Sequence, residues 1–147
     1  MTEHALQVWL DDGLVDPGAA TVSVFDHAFT VGDAVFESAK VVDGVPFAMR
    51  RHRERLRASA RALRLPEPDD AVLGEAVDAV LAQPGVPALA RLRLTYGGGV
   101  APLGSSRAAA VPRLVVAVAP APAPAPSVDV VTVPWVRNER GATAGVK

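Results

Sequence analysis

The spacing of the apolar residues changes along this chain between strand-like and helical patterns. This change limits the strands and helices that the chain can form. The segment LQVWLDDGLVD, residues 6–16, has apolar residues on both sides of an Asp-Asp-Gly turn signal and predicts strand, turn, strand. Residues 21–50 continue with β-branched and aromatic residues, and the chain is expected to reverse at Gly32 and Gly44. The first third of the chain is therefore predicted to be mostly antiparallel sheet.

A helical period begins at His52. Apolar residues recur there at helical spacing, and the prolines of the segment LPEPDD are expected to end this helix. Asp69 or Asp70 can cap a second helix, which the Pro-Gly pair at 84–85 ends. The apolar positions are Leu56, Ala60 and Leu63 in the first helix, and Val72, Ala76, Val77, Val80 and Leu81 in the second.

Strand-like segments return after the helices. Residues 88–96, ALARLRLTY, alternate between apolar and polar residues, and residues 113–119, RLVVAVA, are typical of a buried strand. A glycine-rich loop joins the two segments. The sequence thus predicts an α+β fold, a sheet followed by two helices and further strands.

Alternating proline in PAPAPAP removes backbone donors and favours a stiff, extended connection. We therefore predict an N-terminal α/β domain over residues 1–119 and an interdomain linker over 120–127. Residues 128–147 are predicted to open a second domain with a further strand and loop, of which the sequence contains only the start.

Composition narrows the function classes. Half of the 147 residues are hydrophobic and 21% are charged, which is typical of a globular domain. The net charge of −1, with both signs interspersed, argues against nucleic acid or an anionic membrane surface and favours a small-molecule ligand.

The absence of cysteine excludes disulfides, thiolate metal sites and a cysteine nucleophile. His4, His27 and His52 are too far apart in sequence for a local metal motif, so no metal is expected. The sequence shows no signal peptide and no apolar run of about twenty residues, which predicts a cytoplasmic protein that does not span a membrane.

Three stretches allow both a structural and a functional interpretation. Arg55, early in the first helix, is either a solvated surface residue or a ligand for a phosphate. Gly97–Gly99 suits a turn between strands better than a phosphate cradle, because it lacks the spacing of a nucleotide fingerprint. Arg91 and Arg93 share one strand face, where they are either exposed or line a carboxylate-binding cleft.

Lys147 is the sharpest candidate. The chain contains thirteen arginines and only two lysines, and Lys147 follows a run of small residues. A lysine amine can lose its proton and form a Schiff base with a carbonyl group, whereas arginine cannot. This position is compatible with a catalytic amine in a tight pocket, while Lys40 lies in an ordinary strand.

Two blocks carry a resemblance to a known family. Residues 26–63 contain Gly-Asp-x-x-Phe-Glu at 32–37 and His-x-x-Arg-Leu at 52–56, and residues 137–147 read RNERGATAGVK. In this order and separation the blocks resemble the class IV, or fold type IV, pyridoxal-phosphate-dependent aminotransferases. The resemblance implies an N-terminal two-layer α/β sandwich followed by a barrel-like C-terminal domain, of which only the start is present here.

The resemblance also implies roles for individual residues. Lys147 matches the lysine that holds pyridoxal 5'-phosphate as a Schiff base and then moves protons at the substrate Cα. Arg55 matches the arginine that binds the cofactor phosphate. Phe36 matches an aromatic residue of the substrate pocket, and Arg91 is a looser match to a residue on the substrate side.

The resemblance is closest to aminodeoxychorismate lyases, which convert 4-amino-4-deoxychorismate to 4-aminobenzoate and pyruvate in folate biosynthesis. A branched-chain-type aminotransferase is the alternative, although Val31 replaces the tyrosine usual before the glycine. A D-amino-acid aminotransferase is disfavoured, because the loop GGGVAPLGS lacks the Arg-x-His motif.

Hypotheses of other classes are a cofactor-free dimerisation or binding module and a nucleotide-binding domain that uses Gly97–Gly99. Family members are usually homodimers, and the resemblance implies the same assembly here.

Overall fold

Six strands form one antiparallel sheet in the computed structural model, which describes residues 6–136 and 138–147. They lie side by side in the order β2-β1-β6-β5-β3-β4. In chain order the strands are β1 (Gln7–Leu10), β2 (Gly13–Val15), β3 (Ala34–Val42), β4 (Val45–Pro46), β5 (Leu89–Gly97) and β6 (Arg113–Pro120). The helices are α1 (His27–Thr30), α2 (Met49–Ala62) and α3 (Asp70–Leu81).

Helices α2 and α3 cover one face of the sheet, and the core lies between them and the strands. The strand alternation predicted from sequence supplies every second residue to this layer, as in the run Ala90, Leu92, Leu94 of β5. The helices supply Leu56 and Ala60 from α2 and Leu73, Ala76, Val77 and Val80 from α3. The predicted sheet with two covering helices is confirmed.

Short turns set the register of two hairpins. Asp43 and Gly44 both have positive φ, 48° and 77°, in the two-residue turn that pairs Val42 with Val45. Such a turn matches the twist of the flanking strands and favours Asp-Gly. The predicted reversal at Gly44 is therefore confirmed, as is the strand-turn-strand prediction for residues 6–16.

Three local predictions were wrong. Residues 16–33 contain the short helix α1 and turns instead of strands, because Asp26 caps the helix by accepting a hydrogen bond from the Ala28 amide at 2.8 Å. Gly32 leads from α1 into β3 and does not join two strands. Helix α2 begins at Met49 and not at His52, since Met49 extends the apolar stripe and packs against the core.

A fourth local prediction, the strand after the linker, was also wrong. The described residues between 121 and 147 contain no strand or helix, and Val128, Val130 and Trp135 are largely exposed. A strand needs a neighbour for its backbone hydrogen bonds, and none of the described residues pairs with residues 128–136. The chain returns to the core at its last residues, where Val146 packs against it.

The glycines at the end of β5 and just after it are required by close packing and do not form an open turn. A Cβ atom at Gly97 would lie 2.8 Å from the Ala28 side chain, and one at Gly98 would lie 2.7 Å from the Asp33 carboxylate. The Gly98 amide donates to the Asp33 carbonyl oxygen at 2.9 Å. This packing leaves no open cradle at Gly98 for a nucleotide phosphate.

Arg107 fixes the loop that follows these glycines. Its guanidinium group makes two hydrogen bonds to the Asp33 carboxylate, at 2.5 and 2.7 Å, and also donates to the carbonyl oxygens of Leu63 and Arg64. One side chain thus ties the loop to the start of β3 and to the end of α2. The aspartate of the Gly-Asp-x-x-Phe-Glu block has this structural role.

No helix within the described ranges is long and apolar enough to cross a membrane. The same residues contain no group of three or more His, Cys, Asp or Glu side chains arranged to hold a metal ion.

The glycine packing predicts a difference between two substitutions that share the same backbone strain. Gly99 and Gly44 have φ of 79° and 77°, but an alanine Cβ at Gly99 would lie 1.9 Å from the Val111 carbonyl oxygen, whereas nothing lies within 4 Å at Gly44. We expect Gly44→Ala to lower the free energy of unfolding by about 1–2 kcal/mol, from strain alone. Gly99→Ala should cost about 3 kcal/mol or more.

Urea denaturation of both variants measures these changes. Equal losses would contradict the close packing at Gly99.

Candidate functional site

A carboxylate lies in the apolar layer between the sheet and α2. Glu37 occupies a helix-facing position of β3, between Val35 and Ala39, and its side chain has no solvent exposure. A buried charge is costly unless it is paired and hydrogen-bonded. Glu37 therefore needs hydrogen-bonding partners, and these partners form the rest of the site.

Helix α2 provides two of these partners. Arg55 presents its guanidinium fork to both carboxylate oxygens, with the Nε–Oε1 hydrogen bond at 2.5 Å. His52, one turn earlier on the same helix face, places Nδ1 2.7 Å from Oε2. Since an ionised carboxylate only accepts hydrogen bonds, His52 donates through Nδ1–H.

These contacts keep Glu37 ionised. Burial by itself raises the pKa of Glu37, but the hydrogen bonds from Arg55 and His52, together with the charges of Arg55 and Lys147, outweigh it. The pKa of Glu37 therefore lies below its ordinary value of 4.5. In return, the hydrogen bond that Arg55 donates to the Glu37 carboxylate raises the pKa of Arg55.

Lys147 reaches the same carboxylate from the free edge of β3. Strand β4 pairs only with Val41 and Val42, which leaves the first part of β3 unpaired on that side. The Phe36 amide donates to the Lys147 carbonyl oxygen at 3.1 Å, and the Lys147 amide donates to Ser59 Oγ on α2 at 3.2 Å. The backbone of Lys147 is thus held between sheet and helix, and its Nζ lies 3.3 Å from Glu37 Oε2.

The cluster of Glu37, His52, Arg55 and Lys147 has more positive than negative charge. One carboxylate faces a guanidinium and an amine, and the side chains of Arg55 and Lys147 are 48% and 40% exposed. Within the described part of the chain, Arg55 Nη1 has no hydrogen-bond partner. Such a cluster can bind an anionic group on its exposed side, while the amine is available to a carbonyl carbon.

The two predicted substrate-side residues lie on the other face of the sheet. Phe36 points away from α2, and its ring centre is 5.7 Å from Lys147 Nζ. Arg91 is exposed further along β5, opposite Lys40 of β3. The structure therefore brings Arg55 and Lys147 together through Glu37, with Phe36 beside them, and places Arg91 outside this cluster.

Glu37 and His52 are the residues of the cluster to which the sequence analysis assigned no role. Both belong to the blocks that carry the family resemblance. A signal was present for Glu37, because it is a charged residue in the apolar series Val35, Ala39, Val41. For His52, the signal was its spacing of three residues from Arg55, which puts both on one helix face.

Comparison with known proteins gives a family match over most of the chain. The family model described as Amino-transferase class IV matches residues 34–147. A candidate branched-chain-amino-acid aminotransferase of Methanocaldococcus jannaschii is 39% identical over 101 residues, covering 67% of this chain and 34% of that protein. A bifunctional aminodeoxychorismate lyase / D-amino acid transaminase of Mycobacterium tuberculosis is 37% identical over 116 residues, covering 74% and 40%.

A solved structure shares the fold. The fold IV-transaminase of Curtobacterium pusillum is 31% identical, with a TM-score of 0.71 over 81% of this chain and 44% of that chain. The expected mixed α/β fold of fold type IV enzymes is thus confirmed. The chain spans less than half the length of each of these three proteins.

The hydrogen bonds of Glu37 predict a pH-dependent stability effect. Glu37→Gln keeps the side-chain size but removes the charge, and we expect the free energy of unfolding to fall by about 2 kcal/mol at neutral pH. Because folding lowers the pKa of Glu37, its contribution is present above the unfolded pKa of 4.5 and is lost as pH falls through the folded pKa. The difference between wild type and variant should therefore narrow in acid.

Urea denaturation at neutral pH and at a series of pH values below 4.5 measures this difference. A difference that stays constant over the series would contradict the charged state of Glu37.

Proposed function

The chain belongs to the class IV aminotransferase family, and on that premise we propose that it is a pyridoxal-phosphate-dependent enzyme acting at the Cα of an amino-acid-like substrate. The proposal assigns Lys147 to the covalent attachment of the cofactor and Arg55 to its phosphate. The main support for this proposal is that Arg55 and Lys147 both contact the same buried carboxylate, that of Glu37.

The residues present fit this cofactor. A phosphate needs cationic donors with room to accept it, and Arg55 offers a half-exposed guanidinium group in a cluster with excess positive charge. An aldehyde needs an amine within reach, and Lys147 Nζ is partly exposed at the edge of β3. Pyridoxal phosphate, when bound, supplies an electron sink for the electrons left at the substrate Cα.

The protein's own groups then have distinct tasks. Lys147 Nζ takes and returns the proton at the substrate Cα. Glu37 holds that amine at the strand edge by its contact at 3.3 Å. His52 and Arg55 keep the Glu37 carboxylate charged and oriented, so that they act on the proton transfer only through Glu37.

Among the reactions of this family we propose aminodeoxychorismate lyase, which forms 4-aminobenzoate and pyruvate. Two observations support it: the resemblance in residues 97–107 and 137–147, and the 37% identical M. tuberculosis protein, which is named for this activity and for D-amino acid transamination. Branched-chain transamination is the second candidate, favoured by the 39% identical M. jannaschii protein. The resemblance to the family also supports a homodimer.

Product analysis separates the two reactions. We expect the purified protein with pyridoxal phosphate to release 4-aminobenzoate from 4-amino-4-deoxychorismate, detected by its fluorescence, without consuming a 2-oxo acid. Conversion of leucine, isoleucine or valine with 2-oxoglutarate, and no 4-aminobenzoate, would contradict the lyase and select the transaminase.

The assignment of Arg55 predicts a selective loss of cofactor affinity. Arg55→Gln should raise the Kd for pyridoxal phosphate by about tenfold or more, because a charge-assisted contact to the phosphate is lost. Arg57→Gln is a matched control, since Arg57 lies on the same helix and pairs with Glu67.

Titration of the apoprotein with pyridoxal phosphate, followed by absorbance, gives both affinities. Equal affinity for the two variants would overturn the phosphate role of Arg55.

A further inference from the structure

Ser59 lies on the same face of α2 as His52 and Arg55. The spacing of three and then four residues places the three polar side chains in one line along the helix. His52 and Arg55 bind the Glu37 carboxylate, and the proposed function gives a task to both. It gives none to Ser59.

The hydroxyl group of Ser59 is costly at this place in the helix. The residue is only 4% exposed, and its neighbour Ala60 belongs to the apolar core. Serine is a weaker helix former than alanine, and a buried hydroxyl group must be hydrogen-bonded. Within the described part of the chain, the only group that hydrogen-bonds this hydroxyl is the Lys147 amide, which donates to Oγ at 3.2 Å. The contact with Lys147 therefore offsets the cost of the buried hydroxyl group.

Lys147 also makes all the hydrogen bonds that join its own segment to the domain. Over the described ranges, residues 138–146 form hydrogen bonds only among themselves. Lys147 alone bonds to the sheet and to α2, through Phe36, Ser59 and Glu37. Three hydrogen bonds thus set the position of Lys147.

These three bonds hold different atoms of Lys147. The Phe36 amide donates to its carbonyl oxygen at 3.1 Å, Ser59 accepts from its amide nitrogen, and Glu37 accepts from Nζ at 3.3 Å. Only the first two restrain the backbone, and only Ser59 ties that backbone to α2. A backbone held by the Phe36 bond alone is free to turn about it, and this movement is passed along the side chain to the amine.

The position of the amine matters for the proposed chemistry. Lys147 Nζ must reach a carbonyl carbon of the cofactor and then the proton at the substrate Cα. A displacement of about 1 Å from the reactive geometry can slow such a step by about 100-fold. The contact that fixes the Lys147 backbone is therefore able to control the rate.

We propose that Ser59 is a positioning residue for Lys147, whose hydroxyl group holds the Lys147 backbone so that Nζ lies where it attaches the cofactor and moves the proton. This inference rests on the proposed function. One face of α2 then holds the lysine at both ends, with Ser59 at the backbone and His52 and Arg55 acting on the amine through Glu37.

The first test follows the covalent attachment of pyridoxal phosphate to the apoprotein by its visible absorbance. A series of cofactor concentrations gives the maximal rate constant and the concentration at half of this rate. Ser59→Ala should lower the maximal rate constant by about tenfold, because the amine is less well placed. The half-maximal concentration should stay within about twofold of wild type, because Arg55 still binds the phosphate. Ser59→Thr keeps the hydroxyl group and should retain a maximal rate constant within about threefold of wild type.

The second test needs no cofactor, because the chain has only two lysines. Acetic anhydride modifies exposed amines of the apoprotein, and peptide mass spectrometry gives the modification of Lys147 relative to that of Lys40. Lys40 is exposed on β3 and is the internal reference. Ser59→Ala should raise this ratio by about threefold or more, because a segment with fewer contacts leaves the Glu37 carboxylate more often.

Two variants serve as controls. Ser23→Ala also removes a hydroxyl group that accepts a backbone amide hydrogen, here that of Phe25 at 3.1 Å, but outside the site. Ala76→Gly lowers the stability through the buried face of α3. Both should leave the maximal rate constant and the lysine ratio unchanged. A thermal melt shows that each variant is folded, and Ser59→Ala should melt close to wild type, because alanine is the better helix former.

Three outcomes overturn the inference and leave the proposed function intact. An unchanged maximal rate constant in Ser59→Ala shows that Ser59 does not position the amine. An equal loss in Ala76→Gly shows that the effect is one of stability, and a Ser59→Thr variant as slow as Ser59→Ala shows that the hydroxyl group is not what acts. A wild-type protein that does not attach the cofactor overturns the proposed function, and the inference with it.

Discussion

The burial of the Glu37 carboxylate is the constraint on which the site depends. A carboxylate without solvent contact stays ionised only if its oxygens are fully hydrogen-bonded, and Arg55 and His52 meet that need from one face of α2. The same interaction fixes where α2 lies on β3, because both donors must reach one side chain. The packing of Leu56 and Ala60 in the core favours the same position of α2 as the hydrogen bonds to Glu37 do.

The edge of β3 divides the site into two sides. On the helix side, Arg55 and Glu37 form a charged cluster suited to a phosphate. On the opposite side, the Arg93 guanidinium carbon lies 3.9 Å from the centre of the Phe36 ring. Lys147 lies between these two sides. Its backbone is hydrogen-bonded to β3 and to α2, and its amine is within reach of both sides. The proposed function requires an amine that can reach both sides.

The parts of the fold that follow from periodicity were predictable from the sequence. Alternation in β5 and the apolar face of α3 depend on burial of every second residue or of one helix stripe, and the structure has both. The irregular segment 16–33 was not predictable in this way, because it is set by the Asp26 cap and the packing of α1 on Gly97. The β-branched residues near 130 show that strand propensity alone does not make a strand without a pairing neighbour.

For the site, sequence motifs predicted roles for Arg55 and Lys147 but gave no reason why residues 92 positions apart should meet. That reason is the Glu37 carboxylate, whose importance depends on a burial that only the packing of α2 creates. The most direct test of the account is to load the protein with pyridoxal phosphate, reduce it with borohydride and map the modified peptide. We expect the cofactor mass on Lys147 and none on Lys40. Cofactor found on Lys40, or no covalent addition at all, would contradict it.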